Sequence, residues 1–163
     1  MIETDFMKVG ADQRQDQLLR ISDKKYLLIW GYFTEGEQGY NWRKYYGHKP
    51  TTSELREDIH ALIDKQTDEK ILTGCKWNDI SVYLSEENQR NFKAAYDLAV
   101  QLSGQTLPLK FKLGEDADGD AQYYTFEDMD TFTSFYTTCI SHIQTCLTEG
   151  WTEKDGIDWS KYE

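Results

Sequence analysis

Apolar and polar positions along this chain follow two rhythms, and the rhythm changes at turn residues. Between residues 71 and 151 one arrangement occurs twice. Strand-like runs at 70–72 and 80–84 lead into a helical period over 85–103. Strand-like runs at 107–113 and 121–126 then lead into a helical period over 127–148. In the first helix Phe92, Ala95, Ala99 and Leu102 form a stripe with Tyr96 beside it, and Ser85 stands at the N-cap ahead of Glu86 and Glu87. In the second, Met129, Phe132, Tyr136, Ile140, Ile143 and Leu147 share a face. Thr125 and Asp128 have capping-box spacing there, and Gly150 suits the position just past the helix end.

Ahead of this repeated unit, residues 26–33 are continuously apolar and aromatic, which predicts a buried strand, and Gly36 and Gly39 supply turn chemistry after it. A helix is predicted over 51–70. Thr51 and Glu54 form a capping box, and Leu55, Ile59, Leu62, Ile63 and Gln66 recur at helical spacing with His60 at the rim. Residues 13–20 have the composition of a short helix, and residues 1–25 read as an N-terminal arm with a loose or partner-dependent start at 1–12. The tail, 152–163, carries Ile157, Trp159 and Tyr162 and is expected to dock. The fold class that follows is α+β, with two small antiparallel hairpins and about three packed helices. Residues 26–163 are expected to form one domain.

Composition narrows the function classes. Aromatic residues make up 14% of the chain, so much of its burial must come from rings, which also anchor interfaces. A net charge of −11 repels phosphate backbones and disfavours nucleic acid as a partner. The three cysteines, Cys75, Cys139 and Cys146, do not describe a disulfide framework and read as reduced thiols. The first residues are too poor in apolar side chains for a signal peptide, and no run reaches membrane-spanning length.

One locally basic segment stands out from the acidic background. Residues 40–49 interleave Tyr40, Trp42, Tyr45 and Tyr46 with Arg43, Lys44 and Lys49. Such a patch suits stacking on a sugar ring, holding an anion or docking an acidic neighbour. The same pattern also describes a strand whose rings face the core and whose cations are solvated. Asp116, Asp118, Asp120 and Glu127 occupy places one, three, five and twelve of a calcium-type loop, but Ala121 stands where that loop needs Gly. Cys139, His142 and Cys146 fall on one side of the last predicted helix and lack a fourth zinc ligand. There is no nucleophile elbow, Walker loop, dinucleotide fingerprint or histidine–glutamate zinc motif. The expectation is a protein without a catalytic role or cofactor.

Ile71-Leu72-Thr73-Gly74, Trp77-Asn78, Leu84 to Gln89, Phe92 to Ala95, Leu107-Pro108, Phe111-Lys112 and Tyr124 to Phe126 form a series that continues through Phe135, His142-Ile143, Leu147, Gly150-Trp151, Lys154-Asp155 and Ile157 to Trp159. This series resembles a domain of unknown function from phages and prophages of gut bacteria, often found at the C-terminal end of tail-fibre-assembly-like or tail-associated proteins. The resemblance covers residues 65–163, and extends to Asn41-Trp42-Arg43 through Pro50. It implies a phage-encoded protein, built into the virion near the tail or assisting fibre assembly in the host bacterial cytoplasm. Its partners would be other tail or virion proteins, or further copies of itself. Two other classes stay open: a glycan- or host-protein-binding module using residues 40–49, and an acidic decoy for a host defence protein.

Overall fold

The computed structural model describes residues 5–163. The chain forms two compact units, one made of residues 5–65 with Thr152–Glu163, the other of Gln66–Trp151. Both combine antiparallel strands with helices, so the protein is α+β.

The first unit is built on a four-stranded sheet. Strands β1 (Met7–Gly10), β2 (Gln17–Ser22), β3 (Lys25–Glu35) and β4 (Gln38–Tyr46) lie in the order β1-β4-β3-β2, all antiparallel neighbours. The predicted strand at 26–33 is the centre of β3. The predicted helix at 13–20 is instead the edge strand β2, and residues read as an arm supply two of the four strands. Gln-Leu-Leu-Arg has good helical propensity, but the ladder to β3 places Leu18 against Leu28 and overrides it. Of the expected loose start, residues 1–4 lie outside the described residues and Met7–Gly10 is strand.

Helix α1 (Thr52–Thr73) covers one face of this sheet. It starts where the capping box predicts: the Glu54 amide donates to Thr51 Oγ1 at 3.1 Å, and the Thr51 amide donates to Glu54 Oε1 at 3.3 Å. Leu55, Ile59, Leu62 and Ile63 are buried against Leu28, Trp30 and Tyr46. The tail closes the same core with a 3₁₀ turn at Trp159–Tyr162, in which Tyr162 is buried and Trp159 lies edge-on to His60 at 5.9 Å.

In the second unit α1 continues further than expected. The predicted strand at 70–72 is its last turn, because Thr67 and Ile71 prolong the buried stripe. Gly74, at φ +79°, then ends it, its amide donating to the Ile71 carbonyl at 3.0 Å. Hairpin β5 (Cys75–Trp77) and β6 (Ile80–Val82) leads to α2 (Glu86–Gln101), capped by the Ser85 hydroxyl accepting from the Asn88 amide. Hairpin β7 (Leu109–Glu115) and β8 (Ala121–Phe126) leads to α3 (Met129–Asp155). The two hairpins abut: the Tyr83 amide donates to the Leu113 carbonyl at 2.8 Å, and Gly114 lies so close to the Ser81 carbonyl that no Cβ would fit.

Three details of α2 and α3 differ from the predicted pattern. The cap of α3 is Asp128, whose carboxylate accepts from the Thr131 amide at 2.8 Å, and Thr125 stays in β8. The buried face of α3 is Phe132, Phe135, Cys139, Cys146 and Gly150, one step round from the predicted stripe, so Ile140 is exposed and Gly150 is inside the helix. Leu102 on the predicted α2 stripe is likewise exposed. The core of this unit is a ring cluster in which Trp77, Phe92, Phe126, Phe132 and Phe135 meet at centroid distances between 4.9 and 5.5 Å.

Candidate functional site

The aromatic and basic residues 40–49 are divided by the pleat of β4. Successive side chains on a strand point to opposite faces. Tyr40, Trp42, Lys44 and Tyr46 turn towards α1, whereas Asn41, Arg43 and Tyr45 turn to the other side of the sheet. Lys49 lies exposed in the loop beyond the strand.

The inward set is structural. Phe33 stacks on Tyr40 at 5.5 Å and on Trp42 at 5.1 Å, and Trp42 packs against the α1 core. Tyr46 donates to Asp58 of α1 at 2.5 Å, and Lys44 pairs with the same carboxylate at 2.9 Å. Burial, with Asp58 alongside, pushes the Tyr46 hydroxyl far above its ordinary value, so it stays a donor. With Trp42 turned inward, the patch offers no flat pair of rings on which a sugar could stack.

The outward set belongs to a wider face. Cross-strand register aligns Leu19, Leu27 and Tyr45 in one row. A second row runs Gln17, Ile29, Arg43 and Met7 across all four strands. Leu27 and Ile29 sit mid-row at 5% and 3% exposure, flanked by Met7 at 46%, Leu19 at 37% and Tyr45 at 48%. Neither Leu27 nor Ile29 belongs to the core under α1. Lys25 lies over the Tyr45 ring at 4.6 Å. No outward position of the four strands carries Asp or Glu, in a chain with 29 of them. The face is therefore apolar and cationic on an acidic protein. Met7, Leu19, Leu27 and Ile29 were not singled out from the sequence, since only the register brings them to Arg43 and Tyr45.

A bulge shapes one end of this face. Gly31 and Tyr32 of β3 oppose the single residue Asn41, and Gly31 takes φ +74°, which glycine adopts without penalty. The Gly31 amide donates to Asp16 Oδ1 at 2.8 Å. Asn41 is fully buried, its Oδ1 accepting from Arg43 Nε at 3.1 Å.

The other candidates are dispersed or already engaged. Asp116 Oδ1 accepts from the amides of Asp118 at 2.9 Å and Asp120 at 3.0 Å, and its Oδ2 accepts from Gln122. Glu127 follows the far end of β8, seven residues past Asp120 and so roughly 24 Å from it at about 3.4 Å per residue. The Cys146 thiol lies 3.7 Å from His142 Nε2, but that nitrogen is also 3.1 Å from the Lys70 carbonyl, to which it donates. Cys139 shares a hydrogen bond with Cys75 instead, which together with burial pushes the Cys139 thiol up and lowers that of Cys75. Among the described residues no three His, Cys, Asp or Glu side chains converge to hold a metal ion. No helix among them is long and apolar enough to cross a membrane.

A cleft of about 670 Å³ opens in the second unit beside the start of α2, with Ser85, Glu87, Lys112 and Glu115 among its lining. Three of these side chains are engaged structurally: Lys112 pairs with Glu115 at 3.0 Å and Ser85 caps α2. No family model, curated protein or solved structure matches this chain.

Proposed function

We propose that this chain is a non-enzymatic contact protein of a phage tail, either built into the virion or acting in tail-fibre assembly, and that it works by docking other polypeptides. The observation that carries the docking role is the outer sheet side, where Met7, Leu19 and Tyr45 are exposed in the neighbourhood of Arg43 and Lys25 and no outward strand position carries a carboxylate. Faces of this composition suit burial against a protein better than contact with water. The phage context is supported by the sequence resemblance over residues 65–163.

The test is biochemical. Mass spectrometry of purified particles, and co-purification of the tagged chain with tail and fibre proteins, should both find it in their company. Tyr45→Glu combined with Met7→Glu should abolish that company while leaving the fold intact. Absence from particles together with no binding to tail proteins would sink the proposal.

A further inference from the structure

The last strand of the second unit has an open border. β8 pairs with β7 alone, and the other border of β7 meets β6 through the Tyr83 amide and the Leu113 carbonyl. In an antiparallel pair every second residue turns its N–H and C=O away from the partner. Outside the β7 ladder, the main chain of Ala121–Phe126 makes no backbone hydrogen bond among the described residues. Enclosed backbone groups need partners, so those on this border face water. Tyr123, at 55% exposure, and Thr125 are open beside them.

This border lacks the usual defences. Exposed edges are blunted by charge, proline, brevity or a bulge. β8 is six residues long and holds neither a charged residue nor a proline, and the bulge of its ladder falls on β7, between Lys112 and Gly114. Charge lies beyond its ends instead. Asp118 and Asp120 precede it and Glu127 and Asp130 follow it, all exposed, and none pairs with a cation among the described residues. A second copy laid along β8 in either direction would bring acid against acid at both ends, which like charge opposes. An incoming strand with cations at both ends would meet the opposite sign there.

We infer that the outer border of β8 captures an extended segment of a partner protein as an added strand, uncharged in its middle and basic at both ends. Main-chain bonds supply the affinity in this mode, and the end charges choose the partner. This rests on the docking role proposed above, and it adds the chemistry of a contact separate from the outer side of the first sheet.

The probe is a fluorescein-labelled peptide of about ten residues, Lys-Lys-Val-Thr-Val-Thr-Val-Thr-Lys-Lys, whose inner lysines are spaced like Asp120 and Glu127. A counterpart carries Glu in place of Lys, and a third peptide keeps Lys but has its central amides N-methylated. Binding to the full chain is read by fluorescence anisotropy. The first probe should bind at least about tenfold tighter than either of the others, a difference of about 1.4 kcal/mol. Amide hydrogen exchange should slow within 121–126 on binding. Asp120→Lys with Glu127→Lys, its thermal melt unchanged, should remove most of the preference for Lys over Glu. Asp68→Lys with Glu69→Lys, an equal change of charge at exposed positions of α1, should leave it intact. Equal binding of the N-methylated peptide, protection confined to residues outside 121–126, or equal loss of preference in both variants overturns the inference. So does a concentration-dependent dimer in sedimentation that protects 121–126, because the border then belongs to a second copy. Failure of every probe to bind overturns it too, while co-purification with tail proteins decides the docking role separately.

Discussion

The Tyr46 hydroxyl donates to the Asp58 carboxylate at 2.5 Å, tying the last residue of β4 to the second turn of α1. Removing the acceptor leaves the hydroxyl of the buried Tyr46 and the Lys44 ammonium without their partner. Asp58→Ala should therefore cost about 1–3 kcal/mol in urea unfolding, and Tyr46→Phe about 1 kcal/mol. The double variant should lose less than the sum, since both substitutions break one shared contact. Full additivity would mean that the pair does not hold the helix to the sheet.

Neighbouring aromatics on β4 should behave in opposite ways. Trp42→Ala removes a ring stacked on Phe33 and packed into the α1 core, and should cost about 3–5 kcal/mol. Tyr45→Ala, on the open face, should change stability by less than about 1 kcal/mol. Equal losses would place both rings on the same side of the sheet.

His60 makes the first unit sensitive to mild acid. Its Nε2 is enclosed without a partner, and the ring lies against Trp159 of the tail. Burial, then the cations of Lys154 and Arg56, hold its pKa below the ordinary 6.5, with Asp64 and Asp155 opposing them weakly. The unfolded chain binds the proton more readily, so the contribution is complete above about pH 6.5 and is lost as pH falls below it. Glu54, Asp128 and Asp158 are held low chiefly by hydrogen bonds from His48, Thr131 and Ser160, and they lose their contributions at lower pH. The urea midpoint should thus drop between pH 7.5 and 5.5, and His60→Gln should shrink that drop. A His60→Gln profile parallel to that of the parent would count against this assignment.

The start of α3 separates two candidate caps. Asp128→Ala removes the acceptor for the Thr131 amide and should cost about 0.5–2 kcal/mol. Thr125→Ala, at an exposed position of β8, should stay within about 0.5 kcal/mol. Calorimetric melts of the two variants check the order, and a larger loss for Thr125→Ala would move the cap back into β8.

Local signals were legible and non-local ones were not. Thr51 with Glu54, and Ser85 with Glu86 and Glu87, located two helix starts from the sequence because a cap satisfies amides within its own turn. The sequence points the stripe of α3 one step off because Ile140 is the more apolar residue, whereas Cys139, Cys146 and Gly150 are the buried ones. Small residues belong there because rings from the hairpins occupy the remaining space. Strand β2 read as helix because its partner lies across a turn and its own four apolar or amphipathic residues favour either state. The candidate site suffered from the same limit. Tyr40, Trp42 and Tyr46 separate from Arg43 and Tyr45 once residues 40–46 are known to be extended, but Met7 and Leu19 join the face only through ladders that no short window contains.

The margins of the first sheet bear on how this protein behaves when crowded. One border, β1, is only four residues long, and the other, β2, is kinked by a bulge between Arg20 and Ser22. Brief or distorted borders resist strand-to-strand growth between molecules. Many identical copies can then stand side by side without fusing into a continuous ribbon.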